Sequence, residues 1–340
     1  MTTIEQAMIA PRRQRIGDAK RVAFLAILAM TTQIVWAATP SFPVKPVRMI
    51  ISNTVGSAPD TVARLLTVKL TENWGQQIVV DNRAGAAGLL AAEYVAKAAP
   101  DGYTLWVATL TQLLSMSMHQ RFNMARDFIP VSYLASTPFV ISVSASIPVT
   151  TTAEFIAHAK ARGGKLLYGS SGQWGSSHLC MEQFRAMTGI DMVHVPYKGT
   201  SPVFTDLMGG QVHATCAAAP AYTGAAQSGK LRMLGVTTRA RTRLVPGVPT
   251  IAEAVSGFEF PGWYGLFLPL GTPRDLVRRI NADVLSVLKS PDIQERLIAV
   301  GAEAVGSSPE AFTAFLRADA ARFEKLLHAA GWDPSKKAAE

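Results

Sequence analysis

Small polar residues in the middle of the chain are spaced in a way that could hold an anion. Residues 166–199 run from an apolar stretch through a Gly/Ser-rich stretch and a helix-like stretch to a second apolar stretch ending in Lys198-Gly199. In a parallel β-α-β unit the strand ends and helix N-termini meet on one edge, which favours a small anion and above all a carboxylate. The alternative is that these residues only form a turn and cap a helix. The candidate binding residues of this segment are Ser170, Ser171, Ser176, Ser177 and Lys198.

The first half of the chain contains a second unit of the same kind. The apolar run 47–51 is followed by a small polar stretch and then by apolar residues at helical spacing. Pro59 and Asp60 suit the first turn of that helix, because proline has the required φ and a carboxylate complements the helix dipole. Thr109 follows a third predicted strand, 103–108, and is expected on the same ligand-facing edge.

The side chains that enzymes use are present, but not in catalytic arrangements. Ser177 and His178 are neighbours, so on a helix their side chains diverge and cannot form a nucleophile–base pair. The sequence contains no G-x-S-x-G elbow, Walker loop, H-E-x-x-H zinc motif or dinucleotide-binding G-x-G-x-x-G motif. It therefore predicts a binding protein rather than an enzyme, with no catalytic residues, no metal site and no cofactor.

Composition and charge narrow the class of partner. A chain of 340 residues with 49% hydrophobic and 17% charged residues is typical of a globular protein of about two domains. The formal net charge is +9, but the basic residues form no stripe interleaved with aromatic residues, so a nucleic-acid partner is not expected. A mildly basic body suits an acidic small ligand.

The N-terminus has the order of a secretory signal. Five Lys/Arg residues precede an uncharged apolar run from residue 22, and small residues follow at Val35 and Ala37, which predicts cleavage after Ala37. The alternative, a retained membrane anchor, is marginal because the uncharged stretch 22–38 is short and partly polar. We expect residues 1–38 to be a signal peptide and the protein to be periplasmic.

Predicted strands and helices alternate over residues 46–108, which indicates an α/β fold with a largely parallel sheet. The extended run 131–146 is broken by Pro138, which is natural where a strand leaves one sheet for another. A second β/α series follows, and the run 263–269 is interpreted as the return crossing. The sequence thus predicts two lobes, the first formed by residues 39–137 plus 264–340 and the second by residues 138–263.

The two cysteines, Cys180 and Cys216, leave two possibilities open. An exported protein could join them in a disulfide, but two cysteines in apolar surroundings are as often buried thiols.

Motifs along nearly the whole mature chain carry a family resemblance. They include Pro46-Val47-Arg48, Asp60-Thr61-Val62-Ala63-Arg64, Asp81-Asn82-Arg83, Pro100-Asp101-Gly102-Tyr103-Thr104, Ser170-Ser171-Gly172, Val195-Pro196-Tyr197-Lys198-Gly199 and Trp263-x-Gly265-Leu266-Phe267. By their number and order the chain resembles the exported receptors of tripartite tricarboxylate transporters, the Bug family. The resemblance implies a two-domain type II periplasmic-binding-protein fold, two β/α lobes with a ligand cleft between them.

The resemblance also implies which residues grip the ligand. In such proteins one carboxylate is held, partly through ordered waters, by the first strand–helix loop and by the Ser/Gly-rich loop of the other lobe. Here the first loop departs from the family pattern: Asn53 replaces an aromatic residue and Ser57 replaces a glycine. We therefore hypothesise that Trp174 supplies the missing aromatic wall. The ligand-binding residues implied in this way are Asn53, Gly56, Ser57, Asp60, Gly172 and Trp174. Tyr197 is a further candidate beside Lys198; the alternative is that both are only exposed loop residues.

The expected function is capture of a small organic carboxylate and its delivery to a tripartite tricarboxylate-type permease. A ligand-presenting protein for a sensor kinase would use the same binding chemistry and is the main alternative; a hydrolytic enzyme is the remaining one. The two lobes are expected to close on the ligand by hinge motion, and one receptor per ligand predicts a monomer.

Overall fold

Two β-sheets, each flanked by helices, organise the chain. The computed structural model describes residues 42–197, 199–329 and 331; the predicted signal peptide and Lys198 lie outside this part. The strands are β1 (Val47–Ile51), β2 (Ile78–Asn82), β3 (Thr104–Thr109), β4 (Phe128–Thr137), β5 (Phe139–Ser144), β6 (Leu167–Ser170), β7 (Val193–Pro196), β8 (Ala214–Ala218), β9 (Leu231–Val236), β10 (Gly262–Pro269) and β11 (Glu303–Ala304). The α-helices are α1 (Ala58–Trp74), α2 (Leu89–Ala96), α3 (Leu110–His119), α4 (Thr152–Arg162), α5 (Ser176–Thr188), α6 (Thr200–Met208), α7 (Thr223–Gln227), α8 (Arg274–Lys289), α9 (Pro291–Ala299) and α10 (Pro309–Ala329). Short 3-10 helices cover Ala86–Gly88, Ala219–Ala221 and Ile251–Glu253.

The first sheet has the strand order β11-β4-β10-β3-β1-β2. Strand β1 pairs in parallel with β2 and β3, as the alternation of strands and helices predicts. Strand β10, however, is antiparallel to both β3 and β4. The parallel arrangement predicted from residues 46–108 is confirmed for β1, β2 and β3 but does not extend to β10 and β11, which are antiparallel to their neighbours. Strand β10 carries the chain back from the second sheet, whereas β4 carries it out.

The second sheet has the order β7-β6-β8-β5-β9, and one of its strands, β5, runs against its neighbours. Strand β6 is parallel to β7 and β8, whereas β5 is antiparallel to β8 and β9. Only Pro138 separates β4 from β5, so the chain leaves the first sheet at Thr137 and enters the second at Phe139. It returns at Gly262, which pairs with Thr137. We call the parts built on the first and second sheets lobe 1 and lobe 2.

Helix α3 has no counterpart among the predicted elements. It begins directly after β3, where the Thr109 side chain accepts a hydrogen bond from the Thr111 backbone N–H and Gln112 completes a capping box. The three helices predicted after residue 273 are present as α8, α9 and α10. No helix in the described ranges is both long and apolar enough to cross a bilayer.

A large cluster of buried side chains reaches into both lobes, and a second cluster lies within lobe 2. In lobe 1 the Trp106 ring lies 4.7 Å from that of Phe128 and 5.3 Å from that of Phe267, measured between centroids. The last helix, α10, reaches the second crossing, because Phe323 packs edge-on against Phe260 with centroids 5.2 Å apart. Helix α10 therefore packs on the connection between the lobes as well as on the first sheet.

Of the two states considered for the cysteines, a disulfide and two buried thiols, the structure contains the disulfide. Cys180 of α5 and Cys216 of β8 are bonded, with their Cα atoms 6.1 Å apart. The bond joins the helix that follows the Ser/Gly-rich loop to the strand beside it. Both cysteines are fully buried, so the disulfide is part of the lobe 2 core.

Candidate functional site

A cleft of about 280 Å³ opens where the strands of both sheets end, between lobe 1 and lobe 2. Four helices begin at this cleft, two from each lobe. Ala58 and Pro59 open α1, Leu110 and Thr111 open α3, Ser176 and Ser177 open α5, and Thr200 opens α6; all seven residues line it. The first N–H groups of a helix have no partner inside the helix, and its dipole is positive at that end. Helix N-termini of both lobes therefore face the cleft. Pro59 has no N–H to offer and the Thr111 N–H already donates to Thr109 Oγ, so the donors come from the other residues of these first turns.

The side chains that line the cleft add hydroxyl groups but no full charge. Hydroxyls come from Thr109, Thr111, Thr137, Ser171, Ser176, Ser177 and Thr200. None of the lining residues within the described part of the chain is an acid, a lysine, an arginine or a histidine. The arrangement can thus accept a negative charge through neutral donors rather than through an ion pair.

The floor of the cleft is made by the two crossing strands. Phe139, at the start of β5, packs over Gly262, at the start of β10; a Cβ at Gly262 would lie 2.7 Å from the Phe139 ring and 2.8 Å from the Thr137 carbonyl oxygen. Trp263 turns its indole away, since Nε1 donates to Asp319 Oδ2 at 2.9 Å. Tyr264 is almost fully buried, and this burial raises the pKa of its hydroxyl to about 12. The floor is therefore formed by the Phe139 ring, by Gly262 and by Thr137.

The first strand–helix loop is held from behind by Asp60. This carboxylate is 1% exposed and accepts hydrogen bonds from the Gly56 N–H at 2.9 Å, Asn82 Nδ2 at 2.9 Å and Arg64 Nε at 3.0 Å. Burial alone would raise the pKa of Asp60, but the bonds from Arg64, Gly56 and Asn82 outweigh burial and lower it. Asn82 Nδ2 also donates to the Asn53 carbonyl oxygen at 3.0 Å. Asp60 is thus turned toward its own loop and does not line the cleft.

The second loop, residues 170–177, is held by histidines and by its own serines. Ser170 is fully buried, and its Oγ donates to the Gly172 carbonyl oxygen at 3.0 Å. Ser177 Oγ accepts from the Ser171 N–H at 2.8 Å, which closes the loop onto the first turn of α5. Trp174 adopts a left-handed φ of 62°. Its backbone N–H donates to His178 Nδ1 at 3.0 Å.

Tyr197 fastens the neighbouring chain segment to this loop. Its N–H donates to the Ser170 carbonyl oxygen at 2.9 Å, and its hydroxyl donates to Asp206 Oδ2 at 2.6 Å. Gly199 likewise donates from its N–H to the Ser171 carbonyl oxygen at 3.1 Å. The Tyr197 side chain is therefore engaged within lobe 2.

The predicted site residues fall into two groups. Those that line the cleft are Asn53, Thr109, Ser171, Ser176 and Ser177. Those that lie in the two loops without lining the cleft are Gly56, Ser57, Asp60, Ser170, Gly172, Trp174 and Tyr197. The indole of Trp174 packs on the buried cluster and stands edge-on to His178, with centroids 5.2 Å apart, rather than forming a wall of the cleft. Lys198 lies outside the described residues.

Sequence reasoning missed the floor and the start of α3. The floor residues Thr137, Phe139 and Gly262 sit at the crossings, so the break at Pro138 was the available signal. For α3 the signal was the capping-box pattern, Thr109 with Gln112 three residues later. Asn82 belongs to a quoted motif, but its role in holding both Asp60 and Asn53 was not predicted.

A larger groove of about 470 Å³ lies elsewhere, between the end of α3 and helix α10. It contains none of the predicted site residues and no helix N-terminus. Its size alone does not make it the better candidate, since the smaller cleft combines the converging helix starts with both predicted loops.

Comparison with known proteins identifies the family. Residues 62–332 match the tripartite tricarboxylate transporter family receptor. The chain belongs to this family. BugT of Bordetella pertussis is 31% identical over 296 residues, which cover 86% of this chain and 91% of BugT. The resemblance to the Bug family is thereby confirmed.

Solved structures of similar proteins have the same two-lobed fold. A protein of R. palustris solved with adipate is 38% identical, with a TM-score of 0.73, over 85% of this chain and 98% of that one. MatC from Rhodopseudomonas palustris, with bound malate, is 30% identical, with a TM-score of 0.71, over 84% of this chain and all of MatC. The periplasmic binding protein BugD is 29% identical, with a TM-score of 0.70, over 86% and 99% of the two chains. Such proteins are solute-binding receptors, so the prediction of a binding protein rather than an enzyme is confirmed.

Proposed function

We propose that this receptor captures a small organic carboxylate in the cleft between its lobes and delivers it to the permease of a tripartite transporter. One observation carries the proposal: four helix N-termini, two from each lobe, converge on a cleft whose described lining has no charged side chain. Each such end favours a nearby anion by about 0.3–1 kcal/mol, so four together contribute roughly 1–4 kcal/mol. The adipate and malate named for two similar proteins are ligands of this class.

The role that we assign to each residue depends on whether it faces the cleft or lies behind it. Ser171, Ser176, Ser177, Thr109 and Asn53 face the cleft, and we assign them contacts with the carboxylate. The residues behind them, Asp60 and Ser170 above all, hold the two loops in place and contact the ligand at most through water. Gly56, Ser57, Gly172, Trp174 and Tyr197 shape the same loops, and Lys198 would bring a positive charge near the second one.

Closure of the cleft follows from the placement of the donors. Because each lobe supplies two helix starts, a carboxylate contacts both lobes only when they approach each other, so binding favours the closed form. We take the moving units to be residues 39–137 with 264–340, and residues 138–263, joined where the strands cross at Pro138 and Gly262. Residues 1–38 would direct export to the periplasm, where the protein would act as a monomer.

The binding claim is tested by thermal shift with mono-, di- and tricarboxylates, their neutral amides, and sugars. A ligand that binds only the folded state raises its stability by about 2.7 kcal/mol at a hundredfold excess over Kd. We expect a carboxylate to stabilise the protein and its amide to fail. Ser177→Ala should weaken binding about tenfold, as for one lost charge-assisted hydrogen bond. Ser286→Ala, an exposed serine on α8, is the matched control and should leave binding unchanged. Stabilisation by neutral ligands alone would contradict the proposal.

Delivery is tested separately, by uptake of the bound carboxylate into vesicles that contain the permease subunits. Uptake that depends on the receptor supports transport. Tight binding without any receptor-dependent uptake would instead support presentation of the ligand to a sensor kinase.

A further inference from the structure

A buried stack of titratable rings lies directly behind the second loop, and the proposed ligand contacts make no use of it. The imidazoles of His178 and His194 are stacked with centroids 3.9 Å apart and planes 15° from parallel. Tyr168 stacks on His194 with centroids 4.9 Å apart. The His178 residue is only 5% exposed. A polar stack so deeply buried needs a reason beyond the filling of space.

Each histidine of the stack holds one end of the loop. His178 Nδ1 accepts the Trp174 backbone N–H at 3.0 Å, and His194 Nε2 lies 2.7 Å from Ser170 Oγ. Between these two anchors the loop supplies Ser171 to the cleft, and α5 begins with Ser176 just beyond. The position of the donors therefore depends on the stack behind them.

The anchor at Trp174 is under strain. Its φ of 62° is left-handed, a conformation that a bulky side chain adopts only when its surroundings enforce it. The Trp174 backbone N–H donates its hydrogen bond to the side chain of His178. Loss of that bond would let the loop relax toward an ordinary φ and turn the following residues.

The bond exists only while His178 is neutral. Because Nδ1 accepts a hydrogen bond from the Trp174 backbone N–H, the neutral ring carries its own proton on Nε2. A second proton would occupy Nδ1, so that two N–H groups would face each other. It would also place a charge beside the His194 ring at 3.9 Å.

The surrounding charges do not favour that proton. Glu182 Oε1 is 3.9 Å from His178 Nε2, but the same oxygen already accepts from Arg185 Nη1 at 2.6 Å and from the Tyr168 hydroxyl. Arg185 in turn reaches Asp191 at 3.4 Å. Burial, with His194 and Arg185 adding to it, lowers the pKa of His178 to about 4, and burial likewise lowers the pKa of His194.

We propose that His178 is a positioning residue for ligand capture: its neutral Nδ1 fixes Trp174 and thereby the second loop, and acid releases the loop. The effect on affinity rests on the proposed carboxylate-binding function, whereas the effect on the loop does not. The two parts can therefore fail independently.

The test compares two variants of different chemistry. His178→Asn keeps an acceptor oxygen where Nδ1 stands but cannot take up a proton. His178→Phe keeps a flat ring and removes the acceptor. His328→Asn, on the exposed surface of α10, controls for the loss of a histidine. The first readout is the Trp174 backbone amide signal in ¹H–¹⁵N spectra from pH 7 to pH 3.5, and the second is the affinity for adipate by calorimetry at pH 7.

In the wild type and in His328→Asn, the Trp174 amide should keep a hydrogen-bonded shift at pH 7 and lose it in acid. His178→Asn should keep it across the whole range, and His178→Phe should lack it throughout. Adipate affinity should fall about tenfold in His178→Phe, the size of one lost buried hydrogen bond, and be retained in His178→Asn.

Two results would overturn the inference. One is an amide signal that titrates identically in the wild type and in His178→Asn; the other is a hydrogen-bonded signal that persists in His178→Phe. If adipate binds none of the proteins while the amide behaves as described, the positioning role stands and adipate is not the ligand; the affinity is then measured with the carboxylate that gives the largest thermal shift, and the absence of any such carboxylate refutes the proposed function alone.

Discussion

Each of the two loops that face the cleft is held in place by a side chain behind it, but the two side chains differ in charge. The lobe 1 loop is fastened by a buried anion, Asp60, which accepts three hydrogen bonds. The lobe 2 loop is fastened by two histidine rings, the buried His178 and the half-buried His194. In both loops the fastening group lies behind the loop, so the cleft itself is lined by hydroxyls and helix starts.

The difference shows how charge can be kept out of a binding site. Asp60 is ionised, but the bond from the half-exposed Arg64 balances it at the back of lobe 1. His178 needs no balance because it stays neutral. Among the described lining residues, a ligand carboxylate then meets neutral donors from both sides, and it contacts neither Asp60 nor His178 directly.

The largest expected effect is on the free energy of unfolding and comes from removing the disulfide of lobe 2. Replacing Cys180 and Cys216 by alanine together should reduce the free energy of unfolding by about 4 kcal/mol, the loop entropy of a cross-link that spans 36 residues. Urea unfolding of the double variant measures it. A change below about 1 kcal/mol would mean that the buried contacts of α5 with β8 suffice without the bond.

The next largest effect on stability is expected from removing Asp60, which holds the lobe 1 loop. Asp60→Ala leaves the Gly56 N–H, Asn82 Nδ2 and Arg64 without their acceptor, which should cost about 3 kcal/mol of unfolding free energy. Denaturant titration gives the value. Asp275→Ala, an exposed acid on α8, is the control and should change stability by less than about 0.5 kcal/mol. Equal effects of both variants would contradict the role given to Asp60.

The stabilisation contributed by His178 and that contributed by Asp60 should also be lost in different pH ranges. The folded pKa of His178, about 4, lies below its ordinary 6.5, so its contribution is full above pH 6.5 and is lost as pH falls toward 4. That loss should amount to about 2–3 kcal/mol. Asp60 has a folded pKa below 3.8, so its contribution is full above that pH and is lost only in stronger acid. Urea midpoints from pH 7 to pH 3 measure both losses of stability. The loss toward pH 4 should be absent in His178→Asn, and the loss in stronger acid should be absent in Asp60→Asn. A wild-type curve that is flat down to pH 4 would contradict the account of lobe 2.

The smallest effect is a test of strain in the lobe 2 loop. Because Trp174 has a φ of 62°, Trp174→Gly should be more stable than Trp174→Ala by about 1 kcal/mol. Both variants lose the indole, so their difference isolates the backbone. Equal stability of the two would show that the left-handed conformation is not enforced at this position.

The sequence predicted both loops, because a strand, a small polar stretch and a helix start follow one another at residues 47–60 and again at 167–177. It did not predict which way Asp60 points. An acid in a first turn can complement the dipole, hold its own loop or face a ligand, and only the position of Asn82 on the neighbouring strand decides among these. The His178–His194 stack was equally hidden, because it forms only when the strand after α5 returns beside β6.

The most direct test of the central claim is a crystal structure of the protein with the carboxylate that gives the largest thermal shift. The account predicts that one carboxylate group lies within hydrogen-bonding distance of Ser171 and of the α5 start in lobe 2, and of the α1 or α3 start in lobe 1. The lobes should be closed around it. A carboxylate bound instead to charged side chains other than Lys198, or in the groove between α3 and α10, would contradict the account.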